Sequence, residues 1–250
     1  MVAIKSEKDL EMLRISGAIL AKILRSLQAN SREGITTLQL DQLAGELVKK
    51  ENVLAAFNGY KGFPANICTS VNDQIVHGIP SERKLKEGDI ISLDLGINYQ
   101  GYFTDAAVTV AIGKIDAKRK KLIEVAKTAL THGIKEAREN NRLSDISSAI
   151  QSHVEKNGFS VVRQFVGHGI GKNLHEDPEI PNFGRPHQGP VLKPGMVLAI
   201  EPMVNQGTWE SEISDNGWTA RTCDGLASAH FEHTVAITKE GAEVLTELNG

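Results

Sequence analysis

Apolar residues recur every three or four positions in four stretches of the chain, which is the pattern of amphipathic helices. Ser6, with Asp9 three residues later, is typical of a helix start, and Gly34 lies beyond the end of the first stretch. The predicted helices run from Ser6 to before Gly34, over residues 37–52, over residues 116–139, and onward from a cap at Ser144.

Runs of β-branched and apolar residues, bounded by turn residues, predict strands between these helices. The clearest case is a hairpin formed by residues 89–95 and 102–112, which are joined by the turn-forming residues 98–101. The other predicted strand segments are 67–71, 74–80, 160–166, 196–204 and 230–238.

Three segments of the first half recur in the same order in the second half. The matched pairs are residues 85–94 with 192–201, 76–80 with 167–171, and 105–110 with 232–237. This repeat predicts a single domain over residues 1–250, made of two halves of about 1–115 and 116–250 that are related by a pseudo-twofold axis. Functional groups are expected where the halves meet.

Composition narrows the classes of protein that fit this pattern. The chain has 250 residues, and its 28 basic against 31 acidic side chains give a formal net charge of -3. No overall positive potential therefore favours binding to DNA. Two cysteines, Cys68 and Cys223, are too few for a secreted disulfide framework. No apolar run approaches the roughly 20 residues of a membrane span. We therefore expect a soluble cytoplasmic protein.

Two aspartates in the predicted hairpin are the first candidates for chemistry. If the turn is centred between Tyr99 and Gln100, directly opposed residues have numbers that sum to 199, and Asp94 faces Asp105. Carboxylates on such opposed positions, with Cβ atoms about 4.5–5.5 Å apart, do not both stay ionised without a cation. The alternative is that each aspartate is a solvated strand end or a turn cap.

The repeat adds Glu201 and Glu232, so that four carboxylates converge. Their negative charges would balance two divalent cations, and oxygen ligands with one imidazole suit Mn, Fe(II), Co or Zn. The imidazole is either His77 or His168, which occupy matching positions, and symmetry leaves open which one binds metal. His175 is a candidate for contacts with a transition state. The pattern favours a dinuclear hydrolase.

These residues resemble the motif set of the type I methionine aminopeptidases over essentially the whole chain. The motifs are His77, Asp94, Asp105, the segment 167–171 around His168, His175 with Glu176, Glu201 with Pro202, and residues 231–234 around Glu232. The resemblance implies an α+β pita-bread fold, in which a curved antiparallel sheet is backed by helices from both halves.

The resemblance also implies roles for individual residues. The implied metal ligands are Asp94, Asp105, His168, Glu201 and Glu232, with Asp105 and Glu232 bridging two ions. His77 becomes a substrate contact, His175 stabilises an oxyanion, and Glu201 is also a general base and acid. Asn72 and Ser228 match a monovalent-cation site, although loop residues of this kind are usually turn formers.

A pocket for a methionine side chain is implied at Tyr60, Phe63, Cys68 and Trp218, with Phe57 and Leu174 nearby. Aromatic and sulfur walls suit a flexible thioether, although the same aromatics could be ordinary core residues. Two positions depart from the expected pattern, because a tyrosine is expected at Phe63 and an aromatic residue at Leu174. The rim of the pocket is therefore expected to differ.

The implied activity is release of the initiator methionine from nascent chains whose second residue is small. Such an enzyme is expected to be a monomer with transient ribosome contact. One alternative is a proline-directed aminopeptidase of the same fold, but only 76 residues precede His77, and that class carries a large N-terminal domain. The other is a non-catalytic peptide-binding module, which would be expected to lose at least one of the five ligands.

Overall fold

The computed structural model of the chain describes residues 2–247. Four α-helices lie in this range: α1 (Glu7–Asn30), α2 (Thr37–Lys50), α3 (Ala117–Glu136) and α4 (Leu143–Lys156). Ser6 and Thr36 cap α1 and α2 in capping boxes, and Asp116 caps α3. The four predicted helices are confirmed within a few residues at their ends.

The predicted cap of α4 is wrong. Arg142 occupies the cap position, and Ser144 lies inside the first turn. The Asp145 carboxylate accepts the backbone N–H of Arg142 at 2.8 Å, while the Ser144 hydroxyl accepts the N–H of Gln188 at 2.6 Å. The serine therefore ties a distant loop to the helix instead of starting it.

Fifteen strands lie within the described residues, and most are short. They are β1 (Leu54–Ala55), β2 (Cys68–Val71), β3 (Gln74–Val76), β4 (Ile90–Tyr99), β5 (Tyr102–Ala111), β6 (Ser160–Val161), β7 (Gly167–Gly169), β8 (Glu176–Ile180), β9 (Val197–Ile200), β10 (Met203–Asn205), β11 (Ser211–Ile213), β12 (Ala220–Thr222), β13 (Ser228–His230), β14 (Glu232–Ile237) and β15 (Ala242–Val244).

Nine of these strands form one antiparallel sheet, with β1, β4, β5, β14, β9, β7 and β8 side by side, β2 on β4 and β15 on β14. One core forms where Leu27 of α1 and Leu40 of α2 pack with residues of β4 and β5. A second forms where Leu122 of α3 and Ile146 of α4 pack with residues of β9 and β14. The mixed α+β fold is therefore a curved sheet backed by helices.

Three predicted strands are interrupted where the sequence suggested continuity. Residues 196–204 divide into β9 and β10, residues 230–238 divide into β13 and β14, and residues 160–166 form only the short β6. Strands β10 and β13 pair with each other in a separate sheet. Pro202 follows Glu201 and cannot donate to a ladder, which is consistent with the first break. The chain changes sheets at Glu201 and Phe231.

The predicted register of the hairpin is also wrong. Tyr99 pairs with Tyr102, and the turn consists of Gln100 and Gly101 with φ angles of 51° and 85°. Positive φ at both positions is the requirement of a type I′ turn. Asp94 therefore faces Ala107 instead of Asp105. A shift of two residues leaves every side chain on its original face, so the two aspartates still share one side of the sheet.

The division into two halves stays a prediction. It is supported by β5 and β14, which carry matching segments of the repeat and pair with each other at the centre of the sheet, Glu232 opposite Ala107. Met1 and residues 248–250 of the predicted domain lie outside the described residues. No helix within residues 2–247 is long and apolar enough to cross a membrane.

Candidate metal centre and substrate pocket

Five neighbouring strands of the central sheet each bring one candidate ligand to the same region. In sheet order, β4 holds Asp94, β5 holds Asp105, β14 begins with Glu232, β9 is followed directly by Glu201, and β7 holds His168. The pairing of strands that are distant in sequence therefore assembles the cluster.

Alternation along the strands explains why these carboxylates share a face. Leu93 and Leu95 belong to the core beneath α1 and α2, so Asp94 between them points to the opposite side of the sheet. Val235 of β14 belongs to the core beneath α3 and α4, which places Glu232, three residues earlier, on the same side as Asp94. The ligand cluster lies on the face that the helices leave open.

Distances show how tight the cluster is. One potential ligand atom from each of Asp105, His168 and Glu232 lies within 4.8 Å of the others. Nε2 of His168 lies 3.6 Å from Oε1 of Glu201. Asp94 lines the same cavity as these four residues. The structure thus brings together all five residues that the sequence suggested as metal ligands.

The electrostatics of this cluster disfavour four free carboxylates. Burial raises the pKa of Asp94 well above its usual range, and the charges of Asp105 and Glu201 raise it further. Burial is likewise the largest cause of the raised pKa of Glu201 and of Glu232, and repulsion from Asp105 adds to both. Such a group of acids needs either protons or cations to compensate its charge.

Divalent metal ions fit the donors that the cluster offers. One oxygen each of Asp94, Asp105 and Glu232 is buried and makes no hydrogen bond to any residue within 2–247. Nδ1 of His168 donates to the Gly169 carbonyl oxygen at 2.9 Å, which leaves Nε2 free of a proton on the side of the carboxylates. Burial lowers the pKa of His168 and so favours the neutral ring that metals bind.

A cavity of about 310 Å³ opens beside the cluster. Its apolar wall contains Phe57, Tyr60, Phe63, Cys68, Leu174 and Trp218. The rings of Phe63 and Trp218 meet edge to face with centroids 5.2 Å apart. Cys68 pairs with Asp94 across β2 and β4, so this wall begins directly beside the carboxylates. The predicted pocket residues therefore line one space together with the predicted ligands.

Two further histidines line the cavity at different places. The ring of His175 stacks on Tyr60 with centroids 5.2 Å apart, and its Nδ1 lies 2.9 Å from the Tyr60 hydroxyl. His77 has a left-handed backbone, with φ 59°, and its ring meets Phe165 edge to face at 5.5 Å. The structure places His168 among the carboxylates, whereas His77 lies on the cavity wall.

Both of these histidines are held in the neutral form. Burial lowers the pKa of His77. Burial, together with the neighbouring His168 and Lys61, lowers the pKa of His175 to about 3. A neutral imidazole carries one N–H donor and one acceptor nitrogen, so each can form a directed hydrogen bond to a peptide group.

Asn72 and Ser228 lie next to each other, as a shared site would require. The Ser228 N–H donates to the Asn72 carbonyl oxygen at 2.8 Å, and the Ser228 hydroxyl donates to the Val204 carbonyl oxygen at 3.2 Å. The Asn72 side chain bonds Asp89 and the N–H of Ile90, which is the behaviour of a turn former. The monovalent-cation site stays a prediction.

His230 is a functional candidate that sequence reasoning missed. Only 1% of its surface is exposed, and neither ring nitrogen has a hydrogen-bond partner among the described residues. Its Nε2 lies 3.7 Å from Oε2 of Glu201. The available sequence signal was a histidine two positions before Glu232, but the strand prediction used His230 only as the first residue of a strand.

Comparison with known proteins agrees with a metal centre beside a substrate pocket. Residues 11–239 match the family model of metallopeptidase family M24. A methionine aminopeptidase from Clostridium perfringens is 50% identical over 246 residues, which cover 98% of this chain and 99% of that protein.

Solved structures show the same relationship. A methionine aminopeptidase from Thermotoga maritima superposes with a TM-score of 0.97 at 46% identity, covering 99% of this chain and 100% of that one. A prolidase from Pyrococcus horikoshii OT3 superposes with a TM-score of 0.79 at 23% identity, covering 98% of this chain and 64% of that one. The second likeness shows a shared fold.

Proposed function

The chain belongs to metallopeptidase family M24, within which it groups with the methionine aminopeptidases, and we propose that it releases N-terminal methionine from nascent proteins and peptides whose second residue is small. The observation that carries this proposal is the cavity that joins a buried ligand cluster to an apolar wall. A free N-terminus held at the cluster would place the first side chain against that wall.

We infer that the cluster holds two divalent ions of Co, Mn, Fe(II) or Zn. Asp94, Asp105, His168, Glu201 and Glu232 would be the ligands, with Asp105 and Glu232 shared between the ions. The buried oxygens of Asp94, Asp105 and Glu232 that form no hydrogen bond within residues 2–247 support this assignment. Divalent ions supply a nucleophilic hydroxide at neutral pH and polarise the substrate carbonyl.

Proton transfer in the reaction is assigned to Glu201. Its carboxylate would accept the proton of the attacking water and pass it to the nitrogen of the leaving peptide, so that the enzyme ends each cycle in its starting state. Burial raises the pKa of Glu201, which favours temporary protonation of this carboxylate. Its position directly after β9, beside His168, puts the carboxylate within the cluster.

His175 and His77 are assigned to the reacting peptide group. When the Tyr60 hydroxyl donates to Nδ1 of His175, Nε2 carries the proton and can donate to the developing oxyanion. His77 would contact the scissile amide nitrogen from the cavity wall. Both rings are neutral near pH 7, as this use requires.

The apolar wall is assigned to the methionine side chain. Tyr60, Phe63, Cys68 and Trp218 offer polarisable contacts that suit a flexible thioether. Burial raises the pKa of the Cys68 thiol, so the wall remains uncharged beside the carboxylates. A charged first residue would lose its hydration there without gaining a partner. A narrow approach to the scissile bond would restrict the second residue to small side chains.

We also infer action as a monomer in the cytoplasm, with transient contact to the ribosome. The thiols of Cys68 and Cys223 are free, which suits a reducing compartment. Because nascent chains are the proposed substrates, contact with the ribosome would bring the enzyme to the point where these chains emerge. The formal net charge of -3 gives no support to a DNA partner.

Two other functions are less well supported. A proline-directed peptidase is represented by the prolidase, but the 23% identity shows the fold alone. A non-catalytic peptide-binding module would have no need of all five clustered ligands.

Peptide hydrolysis tests this proposal. After loading with Mn²⁺, the protein is expected to release methionine from Met-Ala-Ser and to leave Met-Lys-Ser intact. Ala-Pro-Ala serves as the competing substrate. Faster cleavage of Ala-Pro-Ala would assign the chain to proline-directed peptidases, and no cleavage of any of the three peptides would favour a binding module.

A further inference from the structure

An ion pair connects the start of the chain to the segment that carries His175. The Lys5 ammonium donates to Oε2 of Glu176, and the two side chains are only 7% and 10% exposed. The Lys5 backbone is fixed as well, because its N–H donates to the Gly195 carbonyl oxygen at 2.7 Å. The first residues of the chain therefore reach the rim of the proposed active site.

Glu176 uses its other oxygen to close the loop that precedes it. Oε1 accepts the N–H groups of Lys172 at 2.7 Å and Asn173 at 3.0 Å. Burial alone would raise the pKa of Glu176, but the hydrogen bonds from Lys5, Asn173 and Lys172 lower it, so this carboxylate is ionised. One charged group thus holds three donors from two distant parts of the chain.

The loop is shaped to admit the lysine. A Cβ atom at Gly171 would lie 2.3 Å from Cε of Lys5, so a larger residue there would clash with the lysine side chain. The Gly171 carbonyl oxygen also accepts the N–H of Phe103 at 2.7 Å, which anchors the loop to β5. Backbone hydrogen bonds therefore fix the segments on both sides of the contact.

His175 is the residue next to Glu176 in the chain, and the two side chains lie in different surroundings. Successive side chains of an extended chain point to opposite sides. Glu176 meets Lys5, while the imidazole of His175 lines the cavity, stacks on Tyr60 and approaches His168 with ring centroids 4.2 Å apart. Movement of Glu176 would therefore move the neighbouring imidazole.

We propose that Lys5 and Glu176 are positioning residues that hold His175 at the reacting peptide group. The inference rests on the role of His175 in the proposed function. If the pair is broken, the buried partner charge is left uncompensated and the loop relaxes. Misplacement of a group by about 1 Å can cost on the order of a hundredfold in rate. The N-terminal segment is thereby part of the catalytic apparatus without touching substrate.

A double-mutant cycle tests this inference. The wild type, Lys5→Met, His175→Ala and the double variant are loaded with Mn²⁺ and assayed on Met-Ala-Ser. Lys5→Met is expected to lower kcat on the order of tenfold to a hundredfold with KM within about twofold, because the oxyanion contact acts in the transition state. In the His175→Ala background the same substitution is expected to change kcat by less than about twofold, since no imidazole remains to be positioned.

Controls separate positioning from general damage. Arg14→Met removes two other ion pairs of the N-terminal region, those with Glu243 and Glu7, and is expected to leave kcat unchanged. Bound metal, measured by elemental analysis, is expected to be unchanged in Lys5→Met. If Lys5→Met does not fold, Glu176→Gln replaces it in the cycle, because this variant removes the charge and keeps the side-chain shape.

The inference is overturned if Lys5→Met lowers kcat by the same factor in both backgrounds, or if it removes metal. If the single variant His175→Ala has the same kcat as the wild type, the role given to His175 in the proposed function is refuted, and the positioning inference fails with it. The single variant and the cycle therefore distinguish the two failures.

Discussion

Asp94 and Asp105 lie diagonally across the β4–β5 hairpin, because Asp94 faces Ala107 and Asp105 faces Gly96. Diagonal neighbours on one face remain close enough for their side chains to interact. Gly96 contributes no side chain between them, and both aspartates line the same cavity. The hairpin therefore provides two of the five proposed metal ligands.

The two glycine-flanked histidines are expected to respond differently to substitution. His168→Ala removes the imidazole that lies among the carboxylates and should weaken Mn²⁺ binding by at least about tenfold. His77→Ala should leave the metal content intact and lower kcat, because His77 lies on the cavity wall. Elemental analysis and steady-state kinetics on the two variants measure both effects. Loss of metal in His77→Ala would contradict the assignment.

Selectivity for the first residue of the substrate is expected to depend on the apolar wall. Trp218→Ala removes the ring that packs against Phe63 and enlarges the pocket. Hydrophobic pockets separate neighbouring side chains by about 1–3 kcal/mol per methylene. The ratio of kcat/KM for Met-Ala-Ser to that for the norleucine or norvaline analogue should therefore fall, by roughly tenfold for the worse analogue.

Trp209→Ala is the matched control, because Trp209 is a partly exposed tryptophan outside the cavity lining. It should leave the ratio unchanged. An unaltered ratio in Trp218→Ala would mean that this ring is an ordinary core aromatic, as the sequence alone also allowed.

We expect acid stability to depend in part on Asp145. Burial would raise the pKa of this carboxyl, but the N–H groups of Arg142 and His187, at 2.8 and 2.7 Å, lower it overall. A carboxyl whose folded pKa lies below its unfolded value stabilises the protein above the unfolded pKa of about 3.9, and this contribution is lost as pH falls through the folded pKa.

Asp145→Asn should therefore lower Tm at pH 7 by a few degrees, at about 2–4 °C for each kcal/mol of stability lost. The difference from the wild type should shrink below about pH 4. Asp215→Asn, at an exposed turn, is the control and should show little change at either pH. A difference in Tm that is constant from pH 7 to pH 3 would exclude an electrostatic contribution from Asp145.

Much of the site could be predicted because the relevant patterns survive an error of register. The centre of the hairpin turn was predicted one residue too early, which shifts every pairing partner by two residues, yet period-two alternation kept Asp94 and Asp105 on one face. The repeat then identified Glu201 and Glu232 without any knowledge of which strands pair. The structure supplies that pairing, with β5 beside β14 at the centre of the sheet.

The remaining features could not be predicted for physical reasons. An apolar run looks the same whether it continues in one sheet or passes to another, so the break at Phe231 could not be predicted. Pro202 was a signal for the break at Glu201, but the prediction treated residues 196–204 as one strand. His230 was missed because the match of Asp105 with Glu232 aligns it with Phe103, and a comparison of shared residues ignores such a position. Lys5 carries no motif, since its partner is 171 residues away.

The central claim is that the carboxylate cluster holds two divalent ions bridged by Asp105 and Glu232, and metal stoichiometry tests it most directly. Protein that was purified without added metal is titrated with Mn²⁺ by calorimetry, and bound metal is counted by elemental analysis. The wild type should bind two equivalents, and Asp105→Asn should bind fewer or bind them at least about tenfold more weakly. Two equivalents bound with unchanged affinity by Asp105→Asn would contradict the account.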